Sequence, residues 1–345
     1  MRSKKWLGLV FLCLGMSDGQ CAQTPPDVIP ETHWKELSFW GEERTAFTSL
    51  ESAPATEFFH NPVGIEPMEG SAYFVSNYVD VLLANVASNT VNRMTHDYAG
   101  TFNPTGLCFH KATRQLYVAN YTGRNVLVFD VQTSDHMSFV KAISTGYAAG
   151  VAVTPDGSRM AVATYSDQLL QFFDNSGPDP VELWRLKPGQ MHGVCIMDDT
   201  VYATCLNKQQ LIEVDANTGE IRRKIGEFGW TKGKPQFVWP TYVTPYGINN
   251  EFLVVSDGLK GEILVLDRLT LEVNYTFGSM GPSHEFLMMP YCGIGINENE
   301  FLIGCVVQNR LVVVRRDGET FSTVKSISAK PNEWDYLREN VAYKD

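Results

Sequence analysis

One unit recurs six times along this chain, and that repetition constrains the fold more than any other feature. Each copy opens with an apolar run near a glycine and turns into a second apolar run ending in a polar residue. After another turn, a third apolar run follows, commonly ending in Asp. The copies are residues 63–86, 105–130, 149–174, 192–215, 241–267 and 292–317. Aligned, they place Gly64, Gly106, Gly150, Gly193, Tyr242 and Gly293 at one position, with spacings of 42, 44, 43, 49 and 51 residues. A less regular apolar run follows each copy, at 91–94, 139–143, 181–186, 221–225, 273–277 and 323–327. Four strands in a period of about 40–50 residues make one blade of a β-propeller, a unit that buries its faces only by stacking on neighbours.

The runs themselves favour strands. Leu116-Tyr117-Val118-Ala119 and Val126-Leu127-Val128-Phe129 are short, branched or aromatic and nearly continuous in hydrophobicity, as sheets buried on both faces require. Pro155-Asp156-Gly157, Asp198-Asp199, Asn249-Asn250 and Glu298-Asn299 supply the turns between them. The expected architecture is all-β: a six-bladed propeller of four-stranded antiparallel blades over 58–328, with a seventh, degenerate blade in 24–58 as the other reading. Lys35 to Gly41 reads as a strand and turn within the N-terminal segment 20–57, suited to closing the ring. Closure matters because it removes exposed sheet edges. Residues 329–345 form a tail with no periodic pattern.

The connectors between copies carry a resemblance. Phe58-Phe59-His60-Asn61-Pro62, Phe102-Asn103-Pro104, Gln236-Phe237-Val238-Trp239-Pro240 and Glu285-Phe286-Leu287-Met288-Met289-Pro290 share a Phe-to-Pro pattern just before the first strand. Two follow Gly-rich turns, at 226–229 and 277–281. This pattern resembles NHL-repeat propellers, and LYVANYTGRNVLVFD resembles the related YVTN type. The resemblance implies a fold, which hosts enzymes and binders alike.

The start reads as a secretory signal peptide, 1–19, with a second cut position after residue 22. Arg2-Ser3-Lys4-Lys5 is a basic n-region. Trp6 to Met16 is an apolar run too short to span a bilayer, and no later run is long enough for a membrane span. The implied location is secreted, or periplasmic in a bacterium. The net charge of −11 argues against nucleic acid as a partner. Asn120-Tyr121-Thr122 and Asn274-Tyr275-Thr276 are N-glycosylation sequons, so Asn120 and Asn274 are expected acceptors in a eukaryotic host.

Signals for catalysis are thin. No Gly-x-Ser-x-Gly elbow, Cys–His pairing or phosphate loop stands out. NHL-type peptidyl-hydroxyglycine lyases place zinc-binding His residues just before several first strands. The equivalent positions here are Val63, Thr105, Ala149, His192, Thr241 and Cys292, and only His192 matches. A catalytic zinc takes about three protein ligands. No cofactor is expected, although Glu66, Asn77, Asn120 and Asp257 carry the oxygen ligands that a channel Ca²⁺ or other divalent ion would use. By the resemblance, Asn77, Asn120 and Asp257 hold structural positions that bond to loop backbone. Counting outward from the Glu298-Asn299 turn places Cys292 opposite Cys305, a disulfide pairing for an oxidising compartment. The same count puts Cys195 and Cys205 out of register.

What remains is a recognition surface. The connectors and the turns between second and third strands should gather at one mouth of the channel. They bring His60, Tyr121, Arg124, Tyr147, Tyr165, Asp167, His192, Lys208, Trp239, Tyr242, Lys260, Tyr291 and Arg310. Aromatics mixed with charges suit binding of a protein or small molecule. Binding is the expected function. A channel-metal hydrolase or lyase and a structural role in an extracellular assembly are the other readings.

Overall fold

A computed structural model of the chain describes residue 59 and residues 61–279 and 287–328. They form six four-stranded antiparallel blades. Blade one comprises Gly64–Pro67, Ala72–Ser76, Val81–Asn85 and Thr90–Arg93. The others occupy 104–144, 148–186, 191–225, 240–277 and 290–328, each with its strands in sequence order. Blade two gains a short parallel fifth strand, Thr95–His96, on its outer edge. The signal segment, the strand expected at 35–41, His60 and the tail lie outside the described residues.

First strands line the axis and touch in turn around the ring, with blade six meeting blade one. Burial decays outward along each blade. Val126–Phe129, in a third strand, is wholly buried, whereas the outermost strand Val181–Leu186 alternates between exposed and half-buried. Six apolar clusters fill the spaces between blades. One of them joins Ile65, Val75 and Leu82 of blade one to Ile294, Leu302 and Leu311 of blade six. Blade six draws all four strands from 290–328, so this apolar seam joins the last blade directly to the first. Lys325 adds a polar link by donating to the carbonyls of Val86 and Ala87.

The aligned glycines explain how the first strands approach each other. A methyl group on Gly64, Gly106, Gly150 or Gly193 would lie 2.7 Å or less from an atom of the next blade's backbone. Hydroxyls of first and second strands then bridge neighbouring blades. Ser76 Oγ donates to the Thr105 carbonyl, Thr105 Oγ1 to Ala148 at 3.1 Å, Thr204 Oγ1 to Thr241 at 3.3 Å and Thr241 Oγ1 to Tyr291 at 2.7 Å.

Bulges recur at fixed places. The first strands of blades two to six each shift register near their start. In blade six a further shift beside the turn, between Gly295 and Asn297, overturns the disulfide expectation. It places Cys292 opposite Gly304, and the bulge at the strand start leaves Cys305 opposite Pro290. The two side chains enter different clusters, Cys292 against blade one and Cys305 against blade five. Both are free thiols, as are Cys108, Cys195 and Cys205. A second bulge recurs in the outermost strands of blades two to six.

Candidate functional site

The mouth residues separate into a buried plug and a partly exposed group. His192, at the start of blade four, is 3% exposed. Its Nδ1 donates to the Thr241 carbonyl at 2.9 Å, and its Nε2 accepts from the Tyr291 hydroxyl at 2.6 Å. The carbonyl can only accept, which assigns the proton to Nδ1. Burial pushes the imidazole down to about 4 and the Tyr291 phenol well above its ordinary value. Both ring nitrogens are committed, so neither offers a lone pair to a metal. Tyr165 meets the His192 ring edge-on at 6.5 Å, and Trp239 meets Tyr291 at 5.9 Å. All four residues are buried, and they come from blades three to six.

Tyr242 is displaced from the mouth into the interior. It is the one large residue at the aligned glycine position. From blade five it joins the cluster of Ile65 of blade one and Cys292 of blade six, and burial raises its phenol well above the ordinary value. The space left by glycines on other blades is thus filled by one tyrosine reaching across the axis. Arg310 is also buried, with Nε donating to Gln308 Oε1 at 3.0 Å. Lys260 forms a buried ion pair with Glu262 and ties down the connector 226–239 through the carbonyls of Thr231 and Gln236.

The expected oxygen ligands have local duties. Asp257 accepts from the N–H groups of Val238, Trp239 and Lys260 at 2.6, 2.9 and 3.2 Å. Burial raises its carboxyl to about 6, against the lowering effect of those donors. Asn120 accepts from Asn103 N–H at 2.6 Å and donates to Thr101 and Asn125. Asn77 donates to Asp80. The same clamp recurs where the sequence did not single it out: Asn207 holds the N–H of Gln190 at 2.9 Å, and Gln308 holds that of Met288 at 3.4 Å. Glu66, at the far end of the channel, accepts from Phe109 N–H at 3.0 Å, and its surroundings push its carboxyl up to about 8. Among the described residues no group of three or more His, Cys, Asp or Glu side chains is placed to hold a metal ion.

Tyr121, Arg124, Tyr147 and Asp167 are left together at the surface of blades two and three. Arg124, 57% exposed, lies 4.6 Å from the Tyr147 ring centroid and 3.6 Å from Asp167. Tyr121 packs 5.3 Å from Tyr147, and its hydroxyl is 2.8 Å from that of Ser166. The second Asp167 oxygen accepts from Tyr147 N–H at 2.7 Å, so the clamp of blade three also fixes the pedestal of the cluster. An open groove of about 380 Å³ runs beside Arg124, lined by Gly123, Asn125, Ala142, Ser144 and Gly146. A polar cleft of about 320 Å³ lies between the same blades on the opposite face. It is lined by His110, Tyr117 and Asn175 among others, and no sequence motif marked it. His110 has both nitrogens engaged there, with Thr113 and with the Pro155 carbonyl.

No protein-family profile matches the chain, and no curated protein matches it either. Solved structures do. Kuenenia stuttgartiensis hydrazine synthase is similar with 15% identity and a TM-score of 0.54, over 85% of this chain and 87% of that one. A chain of a mitotic checkpoint complex is similar with 10% identity and a TM-score of 0.56, over 81% of this chain and 80% of that one. At such identities the likeness is one of fold, and it establishes this chain as a β-propeller.

Proposed function

We propose that this chain is an exported, NHL-type propeller that binds a protein or small ligand on its channel-mouth face, on the arc of blades two and three. The observation that carries this is the division of the mouth residues. Tyr165, His192, Trp239 and Tyr291 pack together as a buried plug, while Tyr121, Arg124, Tyr147 and Asp167 form a connected, partly exposed group beside a groove. Tyrosine and arginine dominate binding hot spots because they add large contact area with directional polar ends. A pre-stacked guanidinium also loses less freedom on binding than a loose one. The presence of a related fold within a mitotic checkpoint complex fits a scaffold role.

The test is affinity capture from the source organism's extracytoplasmic fraction. Wild type is compared with an Arg124→Glu/Tyr121→Ser double variant and with Ile248→Asp, which changes a 77% exposed residue on the opposite face. A partner retained by wild type and Ile248→Asp but lost by the double variant supports the assignment. Equal capture by all three rules this arc out.

A further inference from the structure

The two sequons occupy opposite environments. Asn120 is 0% exposed, and both its amide oxygen and its amide nitrogen are bonded. Its Nδ2 is the atom that would carry a sugar. A glycan there would break the bonds to Thr101 and Asn125 and force a bulky hydrophilic group between the strands and the connector. Asn274 sits in the outermost strand of blade five. Val265 pairs with Tyr275 and Leu266 with Val273, so Asn274 is the unmatched residue of the bulge. Its neighbour Tyr275 anchors the strand, with Arg316 stacked 4.0 Å from its ring and Phe321 5.7 Å away. The bulge leaves Asn274 exposed at the rim. Equivalent bulge positions on other blades are exposed too, at Val140, Leu183 and Val324, so projecting a residue is a property of the repeat.

We infer that Asn274 is the N-glycan acceptor of this chain and that Asn120 is not. The donor is an oligosaccharide on a polyprenyl pyrophosphate. Asn274 Nδ2 forms a bond to C1 of the first sugar as the bond from C1 to the pyrophosphate oxygen breaks. The pyrophosphate leaves with the electron pair, a base takes one amide proton, and nothing is oxidised or reduced. The fold accepts the product at residue 274 because the sugar extends into solvent. A glycan there also marks the outer rim of blade five as a solvent-facing arc, away from blades two and three.

This inference rests on the export reading, and the experiment separates the two. The full chain is expressed in insect or mammalian cells, and the medium is treated with peptide N-glycosidase. The expected result is a single mobility shift for wild type and for Thr122→Ala, which removes the first sequon without touching Asn120, and no shift for Asn274→Gln. Absence of the full chain from the medium would sink the export reading alone. The same set behind a standard secretory leader then decides the glycan. Secreted wild type that the enzyme leaves unchanged, or a shift lost in Thr122→Ala and kept in Asn274→Gln, overturns the inference.

Discussion

Replacing Gly193 with alanine should destabilise the ring by about 2–4 kcal/mol, far more than a single surface methyl group. The added Cβ would lie 2.7 Å from Tyr242 Cα, 2.7 Å from Val243 N and 2.9 Å from the Thr241 oxygen. All three are backbone atoms of blade five, held by pairing of Tyr242 with Ser256 and Val243 with Val255. No side chain can rotate away, so blade four must move outward. Overpacking of this kind costs about 1–3 kcal/mol. The same movement stretches the bond from Thr204 Oγ1 to the Thr241 carbonyl, 3.3 Å long, and a lost hydrogen bond adds about 1 kcal/mol. Urea unfolding followed by tryptophan fluorescence measures the difference. Gly177→Ala is the control, since the nearest atom to its Cβ would be 3.8 Å away. If Gly193→Ala unfolds within 0.5 kcal/mol (roughly the effect of an ordinary surface change) of the control, the idea that glycines set the blade spacing is wrong.

Acid should weaken the fold through His192. Its pKa falls from 6.5 in the unfolded chain to about 4 in the folded one, so the unfolded state takes up the proton first. Stability is retained above 6.5 and lost as pH falls toward 4, by up to about 3 kcal/mol at roughly 1.4 per unit. Asp257, raised to about 6, works in the opposite direction, so the reading is the difference between wild type and His192→Gln across that window; a constant difference contradicts it. Lys260→Met should cost about 3–5 kcal/mol by leaving Glu262 buried without its cation, whereas Lys260→Met with Glu262→Leu should recover most of it; denaturant midpoints of the two variants decide. Alkylation of unfolded, unreduced protein followed by mass spectrometry should modify both Cys292 and Cys305, and a linked peptide containing the two would contradict the register.

The repeat was legible because blade burial follows a fixed rhythm. Continuous apolar runs mark strands covered on both sides, and all six outermost strands overlap the runs read from the sequence. The structural duties of Asn120 and Asp257 were legible for a related reason, since both are the last residue of a second strand, beside the connector whose N–H groups they hold. Register was not. A register shift between Gly295 and Asn297, beside the Glu298-Asn299 turn, moves Cys292 opposite Gly304, and a second at the strand start leaves Cys305 opposite Pro290; nothing in the residues announces either.

Composition and spacing thus determined the repeated four-stranded unit, the strand order within it and the glycine positions around the axis, because these follow from local periodicity and from which positions must be small. Only the tertiary structure decided which mouth residues meet solvent. Tyr165, His192, Trp239 and Tyr291 lie on different blades, far apart in sequence, and become a plug only when the ring closes. Tyr121, Arg124 and Tyr147 look no different in the chain, yet the fold leaves Arg124 exposed and the two tyrosines half-buried. The same holds for the sequons, where Asn120 and Asn274 share a motif and are separated by burial alone.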